Sequence, residues 1–111
     1  AGGILQAINA ANNYLKRKNK RLKIEIEARN MKEVREILSV GKINRILLDN
    51  FSPSKMKKAV ELVNGRFETE ASGGINESNI RSYAKTGVDF ISIGALTHSI
   101  KSLNMSLKAV K

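Results

Sequence analysis

The sequence predicts an α/β fold, a partial (β/α) barrel of four parallel strands alternating with helices and preceded by one helix. Three observations carry that expectation. Apolar residues recur with helical and then strand periods in alternation along the chain. Glycines at Gly41, Gly65 and Gly87 stand where successive helical patterns end. Finally, the last polar or glycine residue of each strand pattern, Glu27, Asp49, Ser72 and Gly94, recurs at intervals of 22, 23 and 22 residues. Successive βα units produce that regularity, and in barrels built from them the C-terminal strand ends carry the chemistry.

Residues 4–18 place Ile4, Ile8, Ala11 and Leu15 on one stripe and predict a helix. Leu22 to Ala28 alternates, Ile24 and Ile26 against Glu25 and Glu27, as a strand requires. Asn30 and Glu33 have capping-box spacing; Val34, Ile37 and Leu38 continue helically to a stop at Gly41. Arg45 to Asp49 is the second strand. Ser52 and Pro53 supply a cap and an N1 proline for a helix carrying Met56, Val60 and Val63, which stops at Gly65. The third strand is Phe67 to Ala71. Asn76 caps a helix carrying Ile80, Tyr83 and Ala84 that ends at Gly87, and Val88 to Ile93 is the fourth strand. From Leu96 through Leu103 and Leu107 the spacing predicts a further helix, interrupted near Asn104.

The chain has 111 residues and 41% hydrophobic content, enough for one domain over residues 1–111 with a real core. Cysteine is absent, which excludes disulfides and thiolate metal sites. No apolar run approaches the roughly 20 residues of a membrane span. Ala1-Gly2-Gly3 does not open a signal peptide, so a cytoplasmic protein without a membrane partner is expected. The formal net charge is +10. Lys16, Arg17, Lys18, Lys20, Arg21 and Lys23 gather six cations with no acidic residue before Glu25. With no aromatic residue interleaved among them, they read as a solvated face at a helix end rather than a nucleic-acid patch.

A complete barrel takes about 250 residues, so four units form about half of one and leave open strand edges and an uncovered inner face. Either a larger protein or a second copy is expected to cover them, and homo-oligomerisation follows from the second case. The inner face is polar. Glu25 with Glu27, Glu68 with Glu70, and Arg45 with Asp49 share strand faces, and charges buried there need partners. Glu27 and Asp49, at the rim, are candidates for a metal ion or sugar hydroxyls. The deeper Glu25 and Glu68 are expected to pair with basic residues.

Two glycine junctions are candidate anion sites. Ser72-Gly73-Gly74 lets the backbone approach a ligand and turn its amides toward one point, ahead of a helix whose dipole would add positive potential. Alone, such a turn serves equally well as a plain connection. Ser92-Ile93-Gly94 repeats the pattern, with His98 expected in the first turn of the following helix and able to donate to the same anion. No triad partner accompanies His98, which argues against general-base duty.

Together Leu47-Leu48-Asp49-Asn50-Phe51, Glu70-Ala71-Ser72-Gly73-Gly74-Ile75, Thr86-Gly87-Val88-Asp89 and Gly94-Ala95-Leu96-Thr97-His98-Ser99 resemble the quinolinate phosphoribosyltransferase family. The resemblance implies a pentosyltransferase of NAD synthesis. It would join quinolinate to phosphoribosyl pyrophosphate with Mg²⁺ and release pyrophosphate and CO₂ to leave nicotinate mononucleotide. By motif, Glu27 and Asp49 would contact ribose hydroxyls and Mg²⁺. Ser72, Gly73, Gly74, Ser92, Ile93 and Gly94 would hold phosphate, with His98 supporting the second loop. The family's arginines, histidine and lysines that grip quinolinate and pyrophosphate belong to an N-terminal domain and an earlier half barrel. The resemblance therefore implies the C-terminal barrel portion of a larger enzyme, inactive alone. Asn104 stands where the family usually has aspartate. The alternative function is a phosphate- or polyanion-binding module without catalysis.

Overall fold

The computed structural model describes residues 2–94 and 96–100. Its elements are α1 (Gly2–Arg17), β1 (Glu25–Ala28), α2 (Met31–Val40), β2 (Arg45–Asp49), α3 (Pro53–Val63), β3 (Glu68–Ser72), α4 (Ile80–Ala84), β4 (Phe90–Ile93) and β5 (Leu96–Ser99). The five strands form one sheet in chain order; β1 to β4 are parallel and β5 runs antiparallel to β4.

Local chemistry sets the helix ends. Asn30 Oδ1 accepts from Glu33 N–H at 2.9 Å, while Glu33 Oε1 accepts from the Arg29 amide at 2.7 Å, one residue before the cap. Gly41, at φ 69°, closes α2 by donating to Ile37 O. Ser52 caps α3 through Lys55 N–H with Pro53 at the first turn, and Asn64, rather than Gly65, is the first left-handed residue at its end.

The pleat separates two chemistries. Ala28, Ile46, Leu48, Ala71 and Ile91 face the helices and are fully buried with Ile8, Val34, Ile37, Met56, Ala59 and Val63. Register puts Glu25, Arg45 and Glu68 in one row across the opposite face, and Glu27, Leu47, Glu70 and Phe90 in the next. The polar face and the outward packing of Ile24 and Ile26 therefore follow the period-2 reading.

The segment after Gly94 differs from expectation. Leu96 to Ser99 is a strand, with Phe90 opposite Ser99, Ile91 opposite His98, Ser92 opposite Thr97 and Ile93 opposite Leu96. A four-residue pattern of Leu, Thr, His and Ser is compatible with either period, and an unpaired β4 edge supplies the ladder that decides it. The expected edge at β4 is thus occupied, and among the described residues the sheet runs from β1 to β5. Leu103, Asn104 and Leu107 lie outside the described residues. Four element starts also move inward, among them β3, which begins at Glu68 rather than Phe67 and runs on to Ser72. β1 starts at Glu25 rather than Leu22, β4 at Phe90 rather than Val88, and α4 at Ile80, so Asn76 opens a turn rather than capping the helix directly.

Leu48 has no solvent exposure. Leu48→Ala should therefore lower unfolding free energy by about 2–5 kcal/mol, and Ser52→Ala by about 1 kcal/mol, in chemical denaturation. A loss at Leu48 no larger than that at Ser52 would contradict the helix-side core.

Candidate functional site

The C-terminal strand ends gather the loops that hold the candidate residues. At β2, Asp49 is half-buried and Asn50 turns left-handed at φ 64°, its amide donating to Ser72 O at 2.9 Å. This bond joins the end of β2 to the start of the Ser72-Gly73-Gly74 turn. Gly73 has φ 87°, and a Cβ there would stand 2.8 Å from Asp49 Oδ1 and 2.9 Å from Asn50 N. Glycine is thus required twice, by the backbone conformation and by close approach. Gly74 follows at φ 69° with open space where its side chain would be.

Beyond the glycines, Asn79 clasps the turn: its Nδ2 donates to Gly74 O and its Oδ1 accepts from Asn76 N–H, both at 2.8 Å. Ile75 anchors it in the core, 8% exposed. Among the described residues the amides of Gly73, Gly74 and Ile75 donate to no backbone carbonyl. Successive free amides in a glycine turn make a concave donor site for an anion. The helix dipole expected behind it contributes little. α4 has five residues and starts six positions after Gly74.

The second loop is organised differently. Ser92 points to the polar face, where its Oγ donates to Glu70 Oε2 and lies 3.0 Å from Thr97 Oγ1. Ile93 packs against the core, and Gly94 is exposed at φ 60°. His98 is not in a helix turn. It is half-buried in β5 opposite Ile91, and directly opposed residues share a face, so it lies on the helix side. The structure thus brings Asp49, Ser72 and Gly73 together, sets Gly94 at the same strand ends, and holds the Ser92 and His98 side chains on opposite faces of the sheet.

Glu27 is exposed on β1, level with Leu47, diagonally across from Asp49 on the same face. Among the described residues no group of three or more acidic, histidine or cysteine side chains forms a metal cage. Two carboxylates alone suit Mg²⁺, which keeps several waters and shares substrate phosphates.

Beneath the rim, Arg45 binds Glu68 Oε1 at 3.2 Å and Glu70 Oε1 at 3.0 Å, with its guanidinium carbon 3.7 Å from the centre of the Phe90 ring. Lys23 approaches Glu68 at 3.7 Å. Glu68 thus pairs with cations as expected, whereas Glu25 hydrogen-bonds Glu70. Burial, then that hydrogen bond and the Glu70 charge, push Glu25 above the ordinary carboxylate range. Burial acts the same way on Glu70. Hydrogen bonds from Ser92, Glu25 and Arg45, with the guanidinium charge, outweigh it and hold Glu70 low. Sequence reasoning missed Glu70 and Asn79 as organisers; spacing had placed Glu70 on the polar face, but its partners come from other strands.

A cleft of about 480 Å³ lined by Lys23, Asn44, Arg66 and Asp89 lies at the N-terminal strand ends, away from the glycine loops. A smaller one of about 220 Å³ lies at the C-terminal ends between Arg29, Asn30, Asn50, Phe51 and Lys55. The second is lined by Asn50, the neighbour of Asp49, but by none of the candidate residues themselves.

Comparison with known proteins matches residues 1–108 to the family described as quinolinate phosphoribosyl transferase, C-terminal domain. The nicotinate-nucleotide pyrophosphorylase [carboxylating], chloroplastic, of Arabidopsis thaliana is 44% identical over 97% of this chain and 35% of its own length. A probable nicotinate-nucleotide pyrophosphorylase [carboxylating] of Methanocaldococcus jannaschii is 47% identical over 80% of this chain and 34% of its own. The solved nicotinate-nucleotide pyrophosphorylase of Francisella tularensis superposes with a TM-score of 0.73 at 34% identity, covering 87% of this chain and 34% of that one. The chain spans about a third of the length of these relatives.

A Glu25 carboxyl that is protonated more readily in the fold adds stability below the ordinary carboxylate range, and loses it as pH rises through its raised value. Glu25→Gln should therefore raise stability at neutral pH, with the gain disappearing at acidic pH where both side chains are neutral. Thermal denaturation across pH reads this; a gain that persists unchanged in acid would mean that the charge on Glu25 is not its source.

Proposed function

We propose that this chain, which belongs to the quinolinate phosphoribosyl transferase C-terminal domain family, supplies the ribose-phosphate side of a quinolinate phosphoribosyltransferase active site. The observation that carries the reading is the Gly73 contact. A positive-φ glycine lies against the Asp49 carboxylate, with successive amides beyond it free of backbone partners. One end of a phosphoribosyl substrate is an anion for those amides, and its ribose presents hydroxyls for carboxylates.

In this reading the amides of Gly73, Gly74 and Gly94 hold the 5′-phosphate. Ser72 and Ile93 set those loops by their backbones, and Ser92 does so through its hydroxyl. Asp49 and Glu27 orient the ribose hydroxyls and hold Mg²⁺, directly or through water. When bound, the metal supplies positive charge for a diphosphate leaving group. His98 supports β5 from the helix side instead of touching the anion. Fixing the sugar in this way would orient its anomeric carbon for displacement by quinolinate, whose loss of CO₂ completes nicotinate mononucleotide.

The relatives are about three times as long as this chain, and we assign quinolinate capture to the remainder of such a protein. The exposed β1 edge and polar face fit coverage by that remainder or by a second copy in a homo-oligomer. No described helix is long and apolar enough to cross a membrane, and the absence of cysteine suits a cytoplasmic setting.

Inorganic phosphate titrated into the ¹⁵N-labelled chain should move the amides of Gly73, Gly74 and Gly94, and Gly73→Val should abolish the response. With quinolinate, phosphoribosyl pyrophosphate and Mg²⁺, the 111-residue chain alone should give no turnover. Shifts confined to Lys16 to Lys23 would instead favour a polyanion-binding module acting through its basic face.

A further inference from the structure

Glu70 is an unusual residue for a face that is otherwise half open. It is 6% exposed, and its carboxylate is held from the strands on both sides. Arg45 of β2 binds Oε1 and Ser92 of β4 donates to Oε2. Ser92 passes the connection to Thr97 of β5 at 3.0 Å. One continuous polar chain therefore runs from β2 to β5 through Glu70.

The position of this chain along the strands matters. The β2–β3 ladder continues to the Asp49–Ser72 pair, at the mouth of the first glycine loop. The β3–β4 ladder stops earlier, at Ala71–Ile91. The Glu70–Ser92 bond runs diagonally across that last pair, from within the ladder to the first residue beyond it, and joins the strand leading into Gly73-Gly74 to the strand leading into Gly94. Glu70 lies two residues before Ser72, Ser92 two before Gly94, and Thr97 three after it.

We propose that Glu70 is a positioning residue: through Ser92 and Thr97 it sets the spacing between the two glycine loops, so that their amides converge on one phosphate. This rests on the phosphate reading above. It also assigns the Ser92 hydroxyl a different job from direct phosphate binding, because that hydroxyl is already engaged by Glu70 and Thr97. Arg45, braced on the Phe90 ring, fixes the carboxylate in turn.

The sign of the effect separates this idea from simple electrostatics. Glu70 is an anion near an anion site, so charge alone predicts that Glu70→Gln tightens phosphate binding. Loss of loop spacing predicts the reverse, a weakening of about tenfold, the scale of one charge-assisted hydrogen bond. The measurement is inorganic phosphate titrated into the ¹⁵N-labelled 111-residue chain, read at Gly73 and Gly94. Before any phosphate is added, Glu70→Gln should already shift both amides, which reports the connection independently of ligand.

If Glu70→Gln does not fold, Thr97→Val tests the outer link: it should weaken phosphate binding and shift Gly94 while leaving Gly73-Gly74 nearly unmoved. Thr97→Ser, which keeps the hydroxyl, should restore wild-type affinity. Unchanged or tighter binding in folded Glu70→Gln, or in Thr97→Val where that variant stands in, would overturn the proposal. Absence of any phosphate response in the wild type would instead overturn the phosphate reading, and with it the role assigned to the spacing.

Discussion

The Arg45 guanidinium is the cation around which the polar side of this sheet is organised. It contacts Glu68 and Glu70 on β3 and the Phe90 ring on β4. Three carboxylates project from the strands on either side of β2, Glu25 from β1 and Glu68 and Glu70 from β3, and parallel register places them on the same face as Arg45. Without a cation among them, at least one would have to remain protonated or the strands would separate. Arg45 answers most of that repulsion. The remainder is expressed in opposite directions by Glu25 and Glu70, one held above and the other below the ordinary carboxylate range.

This constraint reaches the rim through covalent geometry. Side chains alternate along a strand, so fixing Glu70 also fixes the face presented by Ser72, and fixing Arg45 fixes that of Asp49. The Asn50–Ser72 bond then brings the two strand ends together, and only a glycine fits beside the Asp49 carboxylate at position 73. The polar network below the loops and the carboxylate and glycine turn at the rim thus sit on the same two strands, β2 and β3.

The period-2 and helical readings located the four parallel strands and the helices between them because both faces of that pattern are encoded locally. Caps at Asn30 and Ser52 were legible for the same reason: their partners lie three residues away. The fifth strand was not legible. Leu96 to Ser99 carries no alternation strong enough to exclude a helix, and its state depends on the free edge of β4. His98 moved with it, from an expected helix turn to the helix-facing side of a strand. Gly73 was identified by its sequence context, but the reason that it must be glycine, contact with Asp49 and Asn50, lies 24 and 23 residues away in the chain.

By itself the sequence determined the alternation of elements, the segregation of polar and apolar strand faces, and the family to which the chain belongs, since each is written in residue order and short-range spacing. Tertiary structure decided which carboxylate became the hub, which hydroxyl became a strut and where the β4 edge found its partner. Those outcomes depend on distances between side chains of different strands. Such distances are set by register, burial and competition for a single guanidinium, and one-dimensional spacing does not contain them.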